Sequence, residues 1–246
     1  MEFMRINRFL AEAGVASRRK AENWIREGRV QVNGIFIQEL TIQIEPGKDE
    51  VLVDGEKVDI SPESHPDQLI ALNKPPGYLT SHKDYHHSQT IFDLLPQEFE
   101  KFRFSGRLDL ESRGLLLLSP NGDLIQKLTH PSLSPDKEYE VILQESIDAK
   151  SIYKEFIVGM RDKGETLRAL SLSPKSGITK KFIVTLKEGR KRQLRRMFQK
   201  VGARVIDLNR TRIGNLQLSN INLDMGQWKW ISIASVMNEE GWKDER

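Results

Sequence analysis

The side chains of this chain best suited to chemistry fall in three separated segments. The first runs Gly106-Arg107-Leu108-Asp109 through Ser112 and Gly114 into Leu115-Leu116-Leu117-Leu118. Asp109 stands between Arg107 and an apolar run long enough for a buried strand. A carboxylate there is costly to bury unless a positive group pairs with it. It is readily kept if it does chemistry, and the plain alternative is a turn acid before a core strand. The second segment is Lys137-Glu138-Tyr139-Glu140-Val141, in which Tyr139 reads as a strand aromatic. The third is Glu188-Gly189-Arg190-Lys191-Arg192-Gln193-Leu194-Arg195-Arg196-Met197-Phe198. Leu194, Met197, Phe198 and Val201 fall at helical spacing and make one apolar face. Arg192, Arg195, Arg196 and Gln199 lie off that stripe. The segment therefore reads as the start of an amphipathic helix, with a solvated basic face as the alternative.

The elements that must position these groups follow from patterning. An apolar run predicts a strand at Leu69-Ile70-Ala71-Leu72, and strand signals recur around 137–144, 165–173 and 181–186. Helical patterns lie near 122–129, 148–158 and 190–201. Strands and helices mix without a regular βαβ period, which favours an α+β fold. Ahead of them, residues 4–60 read as a small separate module. Ile6, Phe9, Leu10 and Ala13 have helical spacing, with Gly14 as a stop. Ser17 caps a second helix carrying Ala21, Trp24 and Ile25, ending near Gly28. Val30 and Val32 then alternate into the hairpin turn Asn33-Gly34, and Val51-Leu52-Val53, Asp54-Gly55 and Val58 repeat the signal. Residues 61–66, polar with two prolines, read as a linker. Residues 67–246 form the second domain.

Composition narrows the class. Hydrophobic residues at 38% and charged residues at 30% suit a water-soluble globular chain. With no cysteine, disulfides, thiolate metal sites and cysteine nucleophiles are excluded. No apolar stretch approaches membrane-spanning length and Met1-Glu2-Phe3-Met4-Arg5 opens no signal peptide, so a cytoplasmic protein is expected. His82, His86 and His87 cluster in a polar stretch without an acidic ligand frame, and no metal is expected. His130 reads as local scaffolding. The net charge is only +3, yet residues 187–212 hold ten Lys/Arg against two acids. That concentration points to a local polyanion contact. The first 30 residues add seven basic side chains: Arg5, Arg8, Arg18, Arg19, Lys20, Arg26 and Arg29.

Two resemblances sharpen this reading. The run from Arg5 to Gly34 is similar to the S4 RNA-binding domain, most specifically in its closing Gly-x-Val-x-Val-Asn-Gly. It implies RNA docking through Arg5, Arg8, Arg18, Arg19 and Lys20. The run from Gly106 to Leu124 resembles the catalytic motif of the pseudouridine synthases, in the group that modifies ribosomal RNA. That group includes the A-type enzymes of small-ribosomal-particle RNA and the B, E and F types of large-particle RNA. The run departs from the motif at Ser119-Pro120, where proline is expected to affect only the strand end. Asn73-Lys74-Pro75-Pro76-Gly77 resembles the group's first motif, which is mainly structural. Gln193-Leu194-Arg195-Arg196-Met197 resembles its third.

The resemblance implies a small S4-like α/β module joined to a larger, mixed, mainly antiparallel catalytic domain. It implies isomerisation of uridine to pseudouridine, with Asp109 as the catalytic carboxylate and Arg195 as its partner. Tyr139 would stack on the uracil, with Leu194 on the other side, and Arg107 would enter the space a flipped base vacates. Arg190, Lys191, Arg192 and Arg196 would contact RNA. Whether Asp109 attacks as a nucleophile or removes a proton stays open. No cofactor is expected. The expected partner is a structured stem-loop of ribosomal RNA, large-subunit rather than small-subunit, bound by a monomer. Transfer RNA as substrate, or a non-catalytic S4-type RNA-binding protein, are the alternatives.

Overall fold

The computed structural model describes residues 3–13, 15–16, 18–59, 68–82, 89–130, 132–174 and 180–237. The expected stop at Gly14, the cap at Ser17, His86, His87 and the 61–66 linker lie outside them. The chain divides into two compact units, with the break after Pro66.

The first unit begins with β1 (Met4–Arg5), α1 (Ile6–Glu12) and α2 (Arg18–Arg26). Strands β2 (Val30–Val32), β3 (Ile35–Ile37), β4 (Gln43–Ile44), β5 (Val51–Val53) and β6 (Glu56–Lys57) follow. The helices bury Ile6, Phe9, Leu10, Ala21 and Ile25 against Val30, Ile44 and Val51. Strands pair in the order β3-β2-β5-β6, and β1 pairs with β4. Both tight turns have positive φ at their two central residues, 51° and 80° at Asn33-Gly34 and 53° and 85° at Asp54-Gly55. Those values match the hairpin turn that Asn-Gly and Asp-Gly favour.

The second unit is a nine-stranded sheet with helices packed on it. In chain order its strands are β7 (Leu69–Lys74), β8 (Arg103–Phe104), β9 (Arg113–Ser119) and β10 (Lys137–Leu143). After a hairpin of β11 (Met160–Asp162) and β12 (Glu165–Leu167), the sheet resumes with β13 (Ser171–Pro174), β14 (Lys181–Leu186) and β15 (Val205–Ile213). It ends with β16 (Leu216–Gln217) and β17 (Trp228–Ile231). The main order is β13-β14-β10-β15-β9-β7-β17. Every named pairing is antiparallel except β15 with β9. The helices are α3 (Gly122–Thr129), α4 (Ala149–Val158) and α5 (Gln193–Lys200).

The unbroken apolar run of β9 has a simple cause. Leu115 and Leu117 pack with Leu69, Ala71, Leu124 and Leu128 on one face. Leu116 and Leu118 pack with Ile70, Leu72, Ile91 and Phe99 on the other. A strand covered on both faces has no polar side to alternate with. β9 stops at Ser119, so Pro120 touches only the strand end, as expected. The predicted strand over 165–173 is two strands, β12 and β13. The break lets β12 fold back on β11 through Lys163-Gly164, both at positive φ.

Candidate active site

Asp109 lies in the short connection between β8 and β9, and several backbone contacts fix that connection. Thr80 Oγ1 donates to the carbonyl of Leu108 at 2.9 Å and accepts from its N–H at 3.3 Å. Gly77 donates its N–H to the Leu110 carbonyl, and Ser112 donates to that of Asp109, at 2.8 and 3.0 Å. The motif glycines have separate reasons. Gly106 adopts φ +72°, a turn conformation that disfavours side chains. Gly114 sits where β9 meets β15, and a Cβ there would lie 2.4 Å from the Arg210 carbonyl oxygen.

The patterning did not single out Lys74. Its side chain is fully buried at the end of β7. The ammonium donates to the carbonyls of Pro75 and Ser112 at 2.9 and 2.8 Å, and to those of Asp109 and Leu110 at 3.3 and 3.4 Å. One cation thus gathers the backbone on both sides of Asp109. Burial pushes it down to about 8, the Asp109 charge opposes that, and Arg210 adds to it. The structural reading of the Asn73-Lys74-Pro75 motif gains a physical form here. Its signal in the sequence was a lysine closing a strand whose first four residues are apolar.

Arg195 points from α5 to the same place. Its Nη1 donates to the Val205 carbonyl at 3.1 Å and its Nη2 to Ser112 Oγ at 3.3 Å. Its buried Nε makes no hydrogen bond among the described residues and stands 3.8 Å from Asp109 Oδ2. The pair is in contact but loose. It is also less buried than the sequence suggested, since the Asp109 side chain is 26% exposed.

Tyr139 lies at the centre of the sheet, on β10 between β14 and β15. Beside it the register against β15 shifts, with Glu138 opposite Arg212 and Tyr139 opposite Arg210, so Thr211 is the extra residue of a bulge. Tyr139 and Leu194 are buried in one cluster with Leu108. Asp109, Tyr139 and Leu194 meet with Arg107 and Arg192 at a cleft of about 590 Å³, whereas Arg195 and Lys74 do not line it. That volume suits a single nucleotide-sized ligand. Arg107 is exposed at its edge.

The basic segment at the cleft is itself organised by acids. Arg196 binds Asp162 through Nε and Glu165 through Nη1, at 2.5 and 3.0 Å. Arg190 binds Glu188 and Glu165 at 3.0 and 3.2 Å. Both acids of the β11–β12 hairpin are therefore held below the usual carboxylate range, chiefly by hydrogen bonds from Arg196. Gln193 accepts from the Arg190 N–H and donates to the Arg168 carbonyl, both at 3.0 Å. Arg196 and Arg190 thus fasten α5 and its entry loop, a task that charge counting could not reveal. Lys191 remains exposed.

In the first unit Arg5, Arg18, Arg19 and Lys20 are exposed and Arg8 is partly buried. Lys20 Nζ and the Arg29 guanidinium lie over the Trp24 ring, at 4.9 and 4.8 Å from its centroid. Arg29 also chelates Asp54, with Nε to Oδ1 at 2.9 Å. His82 stacks on Phe92 with ring centroids 4.4 Å apart, and its Nε2 lies 2.9 Å from the Phe102 carbonyl oxygen.

These features coincide with known sequences. The profile described as RNA pseudouridylate synthase matches residues 68–200, and that of the S4 domain matches residues 4–47. An uncharacterized RNA pseudouridine synthase of Aquifex aeolicus is 34% identical over 95% of this chain and 94% of its own. The ribosomal large subunit pseudouridine synthase B of Bacillus subtilis is 36% identical, over 89% and 88%. The dual-specificity RNA pseudouridine synthase RluF of Escherichia coli K12 is 36% identical over 92% of this chain and 74% of its own. A crystal structure of a pseudouridylate synthase superposes with a TM-score of 0.66 at 28% identity, covering 95% and 98% of the two chains. The chain belongs to the RNA pseudouridylate synthase family. It is an RNA pseudouridine synthase with an N-terminal S4 domain, and RNA is its substrate. Among the described residues no helix is long and apolar enough to cross a membrane.

Proposed function

We propose that this enzyme isomerises a uridine of large-subunit ribosomal RNA, with Asp109 as the reacting carboxylate. The observation that carries this reading is the meeting of Asp109, Arg107, Tyr139 and Leu194 at one cleft. The reaction breaks N1–C1′, forms C5–C1′ and moves the C5 proton to solvent while N1 gains one. It needs a carboxylate at the ribose and a pocket that retains the freed base. Asp109 supplies the carboxylate, and Arg195, 3.8 Å away, orients it. Tyr139 and Leu194 hold the uracil between them, and Arg107 fills the gap left in the RNA stem.

RNA backbone contacts fall to Lys191 and Arg192 at the cleft, with Arg190 and Arg196 acting mainly through the hairpin acids they bind. Arg5, Arg8, Arg18, Arg19 and Lys20 dock a structured stem-loop on the S4 unit. We assign domain bounds of 4–60 and 67–246, a monomer and a cytoplasmic site of action. The large-subunit choice follows from the relative in Bacillus subtilis, whose name specifies that ribosomal particle. RluF, described as dual-specificity, keeps a second RNA class such as transfer RNA as the alternative. The test is to map pseudouridine in the ribosomal and transfer RNA of cells with and without this protein. Loss of one or a few large-subunit positions is expected. Loss confined to small-subunit or transfer RNA would overturn the assignment.

A further inference from the structure

The two arginines beside Asp109 are held in different ways. Arg195 is 12% exposed and fastened at both terminal nitrogens, so it cannot close further on Asp109 without breaking those bonds. Arg192 is 41% exposed, and its Nη1 lies 3.9 Å from Asp109 Oδ2. The same nitrogen lies closer to Glu111, at 3.1 and 3.4 Å from the two carboxylate oxygens. The backbone of Arg192 is left-handed, with φ 52° and ψ 34°, at the entry to α5. Residues other than glycine hold that conformation at a cost. Arg192 is thus an exposed cation shared between two carboxylates two residues apart, and Glu111 has the larger share.

We propose that Glu111 is a positioning residue that draws Arg192 off Asp109. The inference rests on Asp109 being the reacting carboxylate. A guanidinium and a carboxylate left to themselves form a two-pronged pair that occupies both oxygens. On Asp109 such a pair would engage a lone pair of each oxygen, crowd the approach of the ribose and make the carboxylate a weaker nucleophile. Of the two carboxylates in contact with Arg192, removing Glu111 leaves Asp109. With Glu111 present, Asp109 keeps Arg195 as its ordered partner and Arg192 stays at the cleft edge, where an RNA phosphate can take it up. Nothing in the motif marks Glu111 for this task, and its hold on Arg192 depends on the left-handed turn that aims Arg192 across the cleft.

The test uses the full-length protein and a large-subunit rRNA transcript under single-turnover conditions. The variants are Glu111→Gln, Glu111→Asp, Arg192→Gln, the double variant Glu111→Gln/Arg192→Gln, and Asp109→Asn. Glu111 is 55% exposed, so melting temperatures are expected to stay near that of the parent. Glu111→Gln is expected to slow modification about tenfold or more, as Arg192 closes on Asp109. Glu111→Asp keeps the charge and most of the rate. The double variant recovers the rate of Arg192→Gln alone, a rescue that a merely structural role would not produce. A normal rate for Glu111→Gln, or a double variant as slow as Glu111→Gln, overturns the inference. If Asp109→Asn itself modifies RNA normally, the assignment of Asp109 fails. If Asp109→Asn is inactive and Glu111→Gln normal, only the role of Glu111 fails.

Discussion

Asp109 is neither an open surface acid nor a sealed core acid, and this sets what its loss of partner would cost. Breaking a fully buried pair costs roughly 3–5 kcal/mol, but Asp109 keeps contact with water. Arg195→Ala is therefore expected to destabilise by roughly 1–3 kcal/mol, the cost of an unpaired part-buried polar group, and to lower turnover far more. Urea denaturation of the single and double variants checks this, and absence of coupling between the two positions would refute direct pairing. A second prediction concerns Lys137, whose ammonium is buried at the start of β10 and pushed down to about 8 by that burial. Between pH 8 and the ordinary lysine value of 10.5 the unfolded chain holds a proton that the folded state has released. Stability from this group must then rise with pH across that interval. The stability difference between parent and Lys137→Met is expected to grow in the parent's favour from about pH 8 to about pH 10. A constant difference would contradict it. At this scale the sequence exposed side chains that carry an unusual word, such as Asp109 and Arg195. It marked Lys74 only as part of a structural motif and hid what Lys74 and Thr80 hold, because their partners are backbone carbonyls and N–H groups that any residue provides.

Each side chain proposed for catalysis is delivered by an element with a packing reason of its own. β9 is held by two cores and meets β15 in parallel, and Gly114 is where that pairing closes. Gly114→Ala would place a methyl 2.4 Å from the Arg210 carbonyl oxygen and from Asn209 Oδ1. It is expected to destabilise by roughly 3 kcal/mol, the upper range of overpacking, and to reduce activity by displacing Asp109. Thermal melts with activity on the same samples test this, and a stable, fully active variant would show that β9 and β15 can separate freely. Helix α5 was legible from its apolar stripe, and β10 from a strand signal around 137–144. The β11–β12 hairpin was not. Its turn, Lys163-Gly164, lacks the Asn-Gly or Asp-Gly signature, and its acids matter through Arg190 and Arg196, which lie far along the chain. The bulge at Thr211 was equally hidden, since register is set by the whole sheet.

At the scale of the molecule there are two units, each with its own core, and we assign docking to the first and chemistry to the second. The mixed fold and a small first module were legible because turn words and apolar periods are local, and the resemblance of residues 5–34 supplied the S4 reading. The strand order and the parallel pairing of β15 with β9 were not, because they join segments distant in the chain. Replacing Arg18, Arg19 and Lys20 together by Ala is expected to weaken RNA binding and flatten its salt dependence. Each lost phosphate contact removes about 0.7–0.9 from the slope of log affinity against log salt. Titrations at several salt concentrations check this, and an unchanged slope would mean that these side chains serve only as a solvated face. The most direct test of the whole account is Asp109→Asn, which removes one charge and keeps the shape. Pseudouridine formed in rRNA is measured in a single turnover, alongside binding of the same RNA. The expected result is binding close to that of the parent with no detectable pseudouridine. Modification at a substantial fraction of the parent rate would contradict the account.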